Sequence, residues 1–68
     1  MESVIRQGIE AYRVQGPNAR GPYQRFDEAD QYWYQGVANK ARYRDWPDRK
    51  IVEFTLKQLQ GKAKHEQH

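Results

Sequence analysis

The stretch from Phe26 to Tyr43 restricts the fold more than any other part of the chain, because its charges and its apolar spacing both predict a helix. Asp27 stands where a capping side chain would accept a backbone hydrogen bond. Acids crowd the start of the stretch and bases its end, as the helix dipole favours. Small and apolar residues recur every three or four positions along one face: Ala29, Trp33, Gly36, Val37, Lys40 and Ala41. We therefore predict a central helix that ends near Arg44.

Two further stripes predict a helix on each side of the central one. The first lies in residues 2–15, with Ser3 as a candidate cap, and consists of Ile5, Gly8, Ile9 and Tyr12. The second predicts a helix that is capped by Asp45 or Trp46, runs to about Gln60 and ends at Gly61. Its apolar face is Ile51, Val52, Thr55, Leu56 and Leu59.

Glycine and proline set the connection between the first two helices. Gly16 and Pro17 end the first helix, and residues 16–26 are too long for a tight turn, so they form an extended, exposed connector. Gly8 and Gly36 fall inside the helices, and we predict that they face each other where the helices approach closely.

These elements predict an all-α fold. It is a small three-helix domain over residues 1–61, in which two antiparallel helices are joined by a long Gly/Pro connector and followed by a third C-terminal helix. Residues 62–68 are predicted to be a polar flexible tail. The hydrophobic share of 37% leaves a small core for one domain of 68 residues, so stabilisation by a homodimer or by a larger receptor stays open.

Composition also limits the cellular location of the protein and the catalytic or metal sites that it could contain. The chain has no cysteine, no signal-peptide pattern and no apolar run that would cross a bilayer, so we expect a cytoplasmic protein with no membrane partner. It has no Gly-rich phosphate loop, and neither Ser3 nor Thr55 has a neighbouring base. His65 and His68 stand three apart in the tail, where a solvated terminus is favoured over a metal site. We expect no enzyme, no cofactor and no metal.

The basic residues indicate a partner instead. The net charge is +3, and the chain between Ala11 and Phe26 carries arginines and no acid, next to aromatic residues. Arginine neutralises phosphates, and aromatic rings stack on unpaired bases. The predicted nucleic-acid-binding residues are Arg13, Arg20, Tyr23, Arg25, Lys40, Arg42 and Arg44.

Two alternatives use other residues. The consecutive Tyr32, Trp33 and Tyr34 cannot all enter one small core, so at least one tyrosine is expected to be exposed. A small protein-binding inhibitor or modulator of a host protein complex would use Tyr32, Tyr34 and Trp46 as anchors, and its binding would depend little on salt. A DNA-binding three-helix module would read bases from its third helix with Arg49, Lys50, Glu53 and Lys57.

A set of short motifs resembles the ribosome modulation factor family. The motifs are Gly8-x-x-Ala11, Gly16, Gly21-Pro22-Tyr23, Trp33-x-x-Gly36 and Ala41, which together cover about residues 6–44. Gly21 replaces the cysteine of that family, and residues 45–60 look like an added helix. The resemblance implies two helices joined by a linker, binding to ribosomal RNA of the small ribosomal subunit, and a role in ribosome hibernation and lowered translation.

Overall fold

The computed structural model describes the backbone of residues 1–66 and the side chains of residues 1–61. Three helices make up its regular structure: α1 spans Glu2–Gln15, α2 spans Glu28–Arg42 and α3 spans Asp48–Glu66. The prediction of a small all-α domain is therefore confirmed. None of the described helices has the length and apolar content needed to cross a membrane.

The first two helices approach each other closely at two glycines. A Cβ atom on Gly8 would overlap the carbonyl oxygen of Trp33, and a Cβ on Gly36 would lie 2.6 Å from the carbonyl oxygen of Ile5. The predicted antiparallel direction is not supported, because the carboxyl-terminal ends of α1 and α2 both reach the same residue at the start of α3, Asp48. The predicted close approach is confirmed, and each glycine lies against the backbone of the opposite helix.

The apolar core has two clusters, one on each side of the α1–α2 pair. The cluster that joins all three helices contains Ile5, Ile9, Tyr32, Ile51 and Val52. The other is covered by the connector and contains Ala19, Trp33 and Val37. Tyr32 and Trp33 are adjacent in α2 and enter different clusters, so α2 is buried on two sides. All three predicted stripes contribute buried residues.

A buried polar network ties α2 to α3. The amide nitrogen of Asn39 donates to the Thr55 hydroxyl at 2.8 Å and to Gln58 Oε1 at 3.1 Å, while Gln35 donates to Asn39 Oδ1 at 3.1 Å. The Thr55 hydroxyl in turn donates to the carbonyl of Ile51 at 2.7 Å. Because a buried polar group without a partner is costly, these bonds fix how α3 sits on α2.

The side chains predicted to cap the first two helices make no capping hydrogen bond. Met1 precedes α1, so Ser3 lies inside the helix and does not cap it. Asp27 does precede α2, but its side chain makes no capping hydrogen bond. Glu28 and Asp30 in the first turn still place negative charge at the positive end of the dipole, so α2 keeps that stabilisation without the cap.

Both ends of α3 also differ from the prediction. The helix begins after Pro47, whose carbonyl accepts a bond from the N–H of Ile51 at 3.2 Å, so neither Asp45 nor Trp46 caps it.

At its other end α3 continues past Gly61 to Glu66. Glycine ends a helix where it takes a left-handed φ, as Gly16 does at 91°, and Gly61 does not. The predicted tail thus begins inside α3. Residues 67 and 68 lie outside the described residues, and the side chains of the His65–His68 pair are not described.

Candidate nucleic-acid interface

The arginines divide into those that pair with a carboxylate and those that do not. Arg6 pairs with Glu2 at 3.5 Å and Arg49 with Glu53 at 3.8 Å, each one helical turn apart on the surface. Four exposed arginines make no ion pair with any residue whose side chain is described: Arg20, Arg25, Arg42 and Arg44. These four guanidinium groups are available to an anionic ligand.

Arg13 was predicted to bind phosphate, and its side chain instead pairs with two carboxylates of the protein itself. Its Nη2 donates to both oxygens of Asp48, at 2.5 and 2.6 Å, and its Nη1 donates to Glu10 at 3.2 Å. The hydrogen bonds to Asp48 and Glu10 raise the pKa of Arg13. Asp48 is 35 positions away in sequence and Glu10 lies just before Ala11, so the acid-free stretch between Ala11 and Phe26 did not reveal either partner.

Lys40 was also predicted as a phosphate ligand and is instead buried, with 8% of its surface exposed. Its ammonium group pairs with Asp48 at 3.1 Å and donates to the carbonyls of Trp46 at 3.1 Å and Arg44 at 3.3 Å. Lys40 therefore fixes the turn between α2 and α3 from inside and is not placed to meet a ligand.

Asp48 is the centre of this arrangement, because it receives Arg13 from α1 and Lys40 from α2 at the start of α3. The hydrogen bond from Arg13 is the main reason that the pKa of Asp48 lies below its ordinary range; partial burial opposes this shift, and the bond from Lys40 supports it. We call these three residues the junction. They hold the three helix ends together.

Beside the junction, four side chains form a layered arrangement. The rings of Tyr43 and Trp46 are parallel within 15°, with centroids 4.1 Å apart. Lys50 Nζ lies 4.3 Å from the Trp46 centroid, and Arg42 Cζ lies 5.6 Å from that of Tyr43. Two rings this close leave no room between them, so the order is cation, ring, ring, cation. We call Lys50, Trp46, Tyr43 and Arg42 the turn stack.

Phe54 supports the turn stack from α3. Its ring meets those of Tyr43 and Trp46 edge-on, at centroid distances of 5.5 and 5.6 Å. Trp46 also packs against the cluster that joins the three helices. The two stacked rings are therefore held by the core, while Lys50 and Arg42 are exposed.

The connector forms a second basic surface with the start of α2. Arg20, Arg25 and Tyr34 line an open groove of about 830 Å³, which we call the connector groove. Asp30 also lines it and lowers its positive charge. Arg25 lies 6.0 Å from the ring centroid of Phe26, which is 94% exposed.

Tyr23 anchors the connector. Its hydroxyl donates to Gln7 Oε1 at 2.9 Å, and its ring packs on the cluster that contains Trp33. Gly21 lies so close to the Trp33 ring that a Cβ would come within 2.7 Å of it. Tyr23 thus holds the connector against α1 and α2, which leaves Arg20 and Arg25 at the surface.

The predicted protein-binding anchors do not share one surface. Tyr32 is 7% exposed and belongs to the core, so its predicted role as an anchor is wrong. Tyr34 is 60% exposed, which confirms that one of the two tyrosines faces outward. Trp46 lies in the turn stack, near the other end of α2.

The two basic surfaces lie at opposite ends of α2, a helix of 15 residues and about 22 Å. The sequence predicted a role for their arginines and named Lys50 only as a base-reading residue of the third helix, while Tyr43, Phe54 and Phe26 received no binding role. The spacing of Tyr43, Trp46 and Lys50 at intervals of three and four was the available signal, because such residues share a face when the chain turns helically.

Comparison of the chain with family models, curated proteins and solved structures gives no match. The resemblance to the ribosome modulation factor family stays a prediction from sequence motifs. The function of this chain has to be inferred from its own residues.

Proposed function

We propose that the protein is a non-catalytic RNA-binding modulator of the ribosome that acts in the cytoplasm. The observation that carries the proposal is the set of four exposed arginines without carboxylate partners, Arg20, Arg25, Arg42 and Arg44. Guanidinium groups bind phosphates, and the aromatic rings beside them are the side chains that stack on unpaired bases. The ribosome as the source of this RNA follows from the motif resemblance alone.

The contacts on α3 favour RNA over duplex DNA. A recognition helix needs side chains that are free to reach base edges in the major groove. On α3, Arg49 is paired with Glu53 and Lys50 lies over Trp46. Of the predicted base-reading residues, only Lys57 has no described partner.

Charge reversal at the unpaired arginines tests the proposal. The variants R42E/R44E and R20E/R25E change the two surfaces separately, and R6E/R49E changes the net charge equally at paired arginines. If each reversed pair removes two single-strand phosphate contacts, the slope of log affinity against log salt becomes shallower by about 1.4. Fluorescence anisotropy with a labelled RNA hairpin measures this slope.

The matched variant decides between a specific surface and general attraction. We expect R6E/R49E to keep the salt slope of the parent protein. Equal losses in all three variants would mean that only net charge matters, and this result would contradict the proposed surface. Affinity that does not change with salt in the parent protein would contradict RNA binding through phosphates.

A second candidate, a protein-binding modulator, is favoured by the surface around Phe26. Phe26 has φ of 75°, a conformation that costs a bulky residue energy, and it is 94% exposed. With Tyr34 it lines an open groove of about 410 Å³. A protein partner would bind here with little salt dependence, and binding would be lost on Phe26→Ser, which leaves the charge unchanged.

A further inference from the structure

The turn stack has two outer aromatic faces, and an exposed cationic side chain lies over each of them. Trp46 and Tyr43 cover each other's inner faces at 4.1 Å, while Lys50 and Arg42 lie over the outer faces. We infer that this stack is a binding site for one unpaired nucleobase of single-stranded RNA, on the outer face of Trp46. The inference rests on the proposed function and names its ligand class.

The base would replace Lys50 on the indole ring. Lys50 is exposed and joined to the backbone by a flexible chain, so it moves aside without disturbing α3. A cation over an exposed ring is held less strongly than a stacked base, so the exchange is favourable. No covalent step is involved.

The displaced cation then meets the phosphates that flank the base. Lys50 and Arg42 lie at opposite ends of the stack, and Arg44 is exposed in the same turn. A nucleotide on Trp46 brings a phosphate on each side of its sugar. The site therefore combines one stacking face with cations around it, which is the pattern of single-strand binding.

The site is built before any ligand arrives. Phe54 holds both rings edge-on, and Trp46 is packed against the core. Lys40 binds the carbonyls of Arg44 and Trp46 from below, which fixes the backbone of the turn. Rings that are already ordered lose little entropy on binding.

The two tryptophans make the inference testable without a label. Trp33 is 3% exposed and lies beneath Gly21, so a base cannot stack on it unless the connector opens. Trp46 is the only other tryptophan in the chain. Quenching of intrinsic fluorescence by a short oligouridylate therefore reports on Trp46 if the inference is correct.

The experiment titrates the full chain and the Trp46→Phe variant with that oligouridylate at low salt, and follows fluorescence and anisotropy together. We expect saturable quenching in the parent protein and none in Trp46→Phe, which keeps a ring and still binds. Trp46→Ala is expected to bind roughly 5- to 150-fold more weakly, the loss that one stacked base accounts for. Circular dichroism checks that each variant is folded.

Two lysine variants distinguish binding at the turn stack from general electrostatic attraction to RNA. Lys50→Ala is expected to weaken binding and to leave the quenching intact, because the Trp46 face is then uncovered. Lys57→Ala removes an exposed lysine from the same helix. This variant is expected to leave the quenching unchanged and to weaken binding less than Lys50→Ala does.

The outcomes distinguish this inference from the proposed function. Quenching that survives in Trp46→Phe assigns the signal to Trp33 and the connector groove, which overturns the inference. Binding by anisotropy without any quenching also overturns it and leaves RNA binding standing. If neither this oligonucleotide nor the RNA hairpin binds at low salt, the proposed function fails as well, and a protein becomes the expected partner.

Discussion

Replacement of Gly8 by alanine is expected to lower the free energy of unfolding by roughly 2 kcal/mol or more, since overpacking costs about 1–3 kcal/mol and occasionally more. The new Cβ would overlap the carbonyl oxygen of Trp33, which belongs to the backbone of α2 and has little freedom to move. The higher helix propensity of alanine offsets about 1 kcal/mol of this cost. Because a core of this size rarely supplies more than about 3–5 kcal/mol, the variant is expected to lose about half of its stability.

The other helical glycines provide matched controls. Gly36→Ala places a Cβ 2.6 Å from the carbonyl oxygen of Ile5 and is also expected to be destabilising. Gly61→Ala meets nothing within 4 Å and is expected to stabilise α3 by about 0.5–1 kcal/mol. Urea unfolding followed by circular dichroism measures all three. Similar stability changes in all three variants would contradict the close crossing of α1 and α2.

Replacement of Asp48 by asparagine is expected to lower the free energy of unfolding by roughly 2 kcal/mol near neutral pH, less than the loss of a fully buried partner. The change leaves Lys40 buried without its carboxylate and weakens both bonds from Arg13. The expected loss in the free energy of unfolding is smaller than for a fully buried partner because the Asp48 side chain is 29% exposed. Asp45→Asn is the control, because exposed Asp45 has no described ion pair.

The contribution of Asp48 also has a defined pH dependence. Its pKa is lower in the folded protein than in the unfolded chain, mainly because of the hydrogen bond from Arg13. The stabilisation is therefore complete above the unfolded pKa of about 3.9 and is lost as the pH falls through the lower folded value.

Unfolding experiments at several pH values measure this dependence. We expect the stability difference between the parent protein and Asp48→Asn to be constant from neutral pH down to about pH 5 and to shrink below about pH 4. A difference that grows with acidification would contradict the ion-pair role of Asp48.

The helices and their buried faces were predictable because they depend on local spacing. Ile5, Trp33 and Ile51 each belong to a stripe that can be identified within one helix, and each is buried in the structure. The close approach of α1 and α2 was predictable for the same reason, since a glycine inside a helix needs a packing explanation. These inferences needed no knowledge of which helix ends meet.

The candidate site was less predictable because it depends on which distant residues meet. Arg13 and Lys40 look like surface bases until α3 places Asp48 between them. Tyr32 looks like an anchor until α3 covers it. The turn stack needs the turn to bring Tyr43 onto Trp46, and a list of charges along the chain does not show this ring contact.

Co-sedimentation of the purified protein with ribosomes and separated subunits, across a salt series, tests the proposed ribosomal target. We expect saturable sedimentation with the small subunit at low salt, which is lost as salt rises because phosphate contacts are replaced by counterions. R42E/R44E is expected to lose sedimentation at lower salt than R6E/R49E. Absence of the protein from every ribosomal fraction at low salt would contradict ribosome binding.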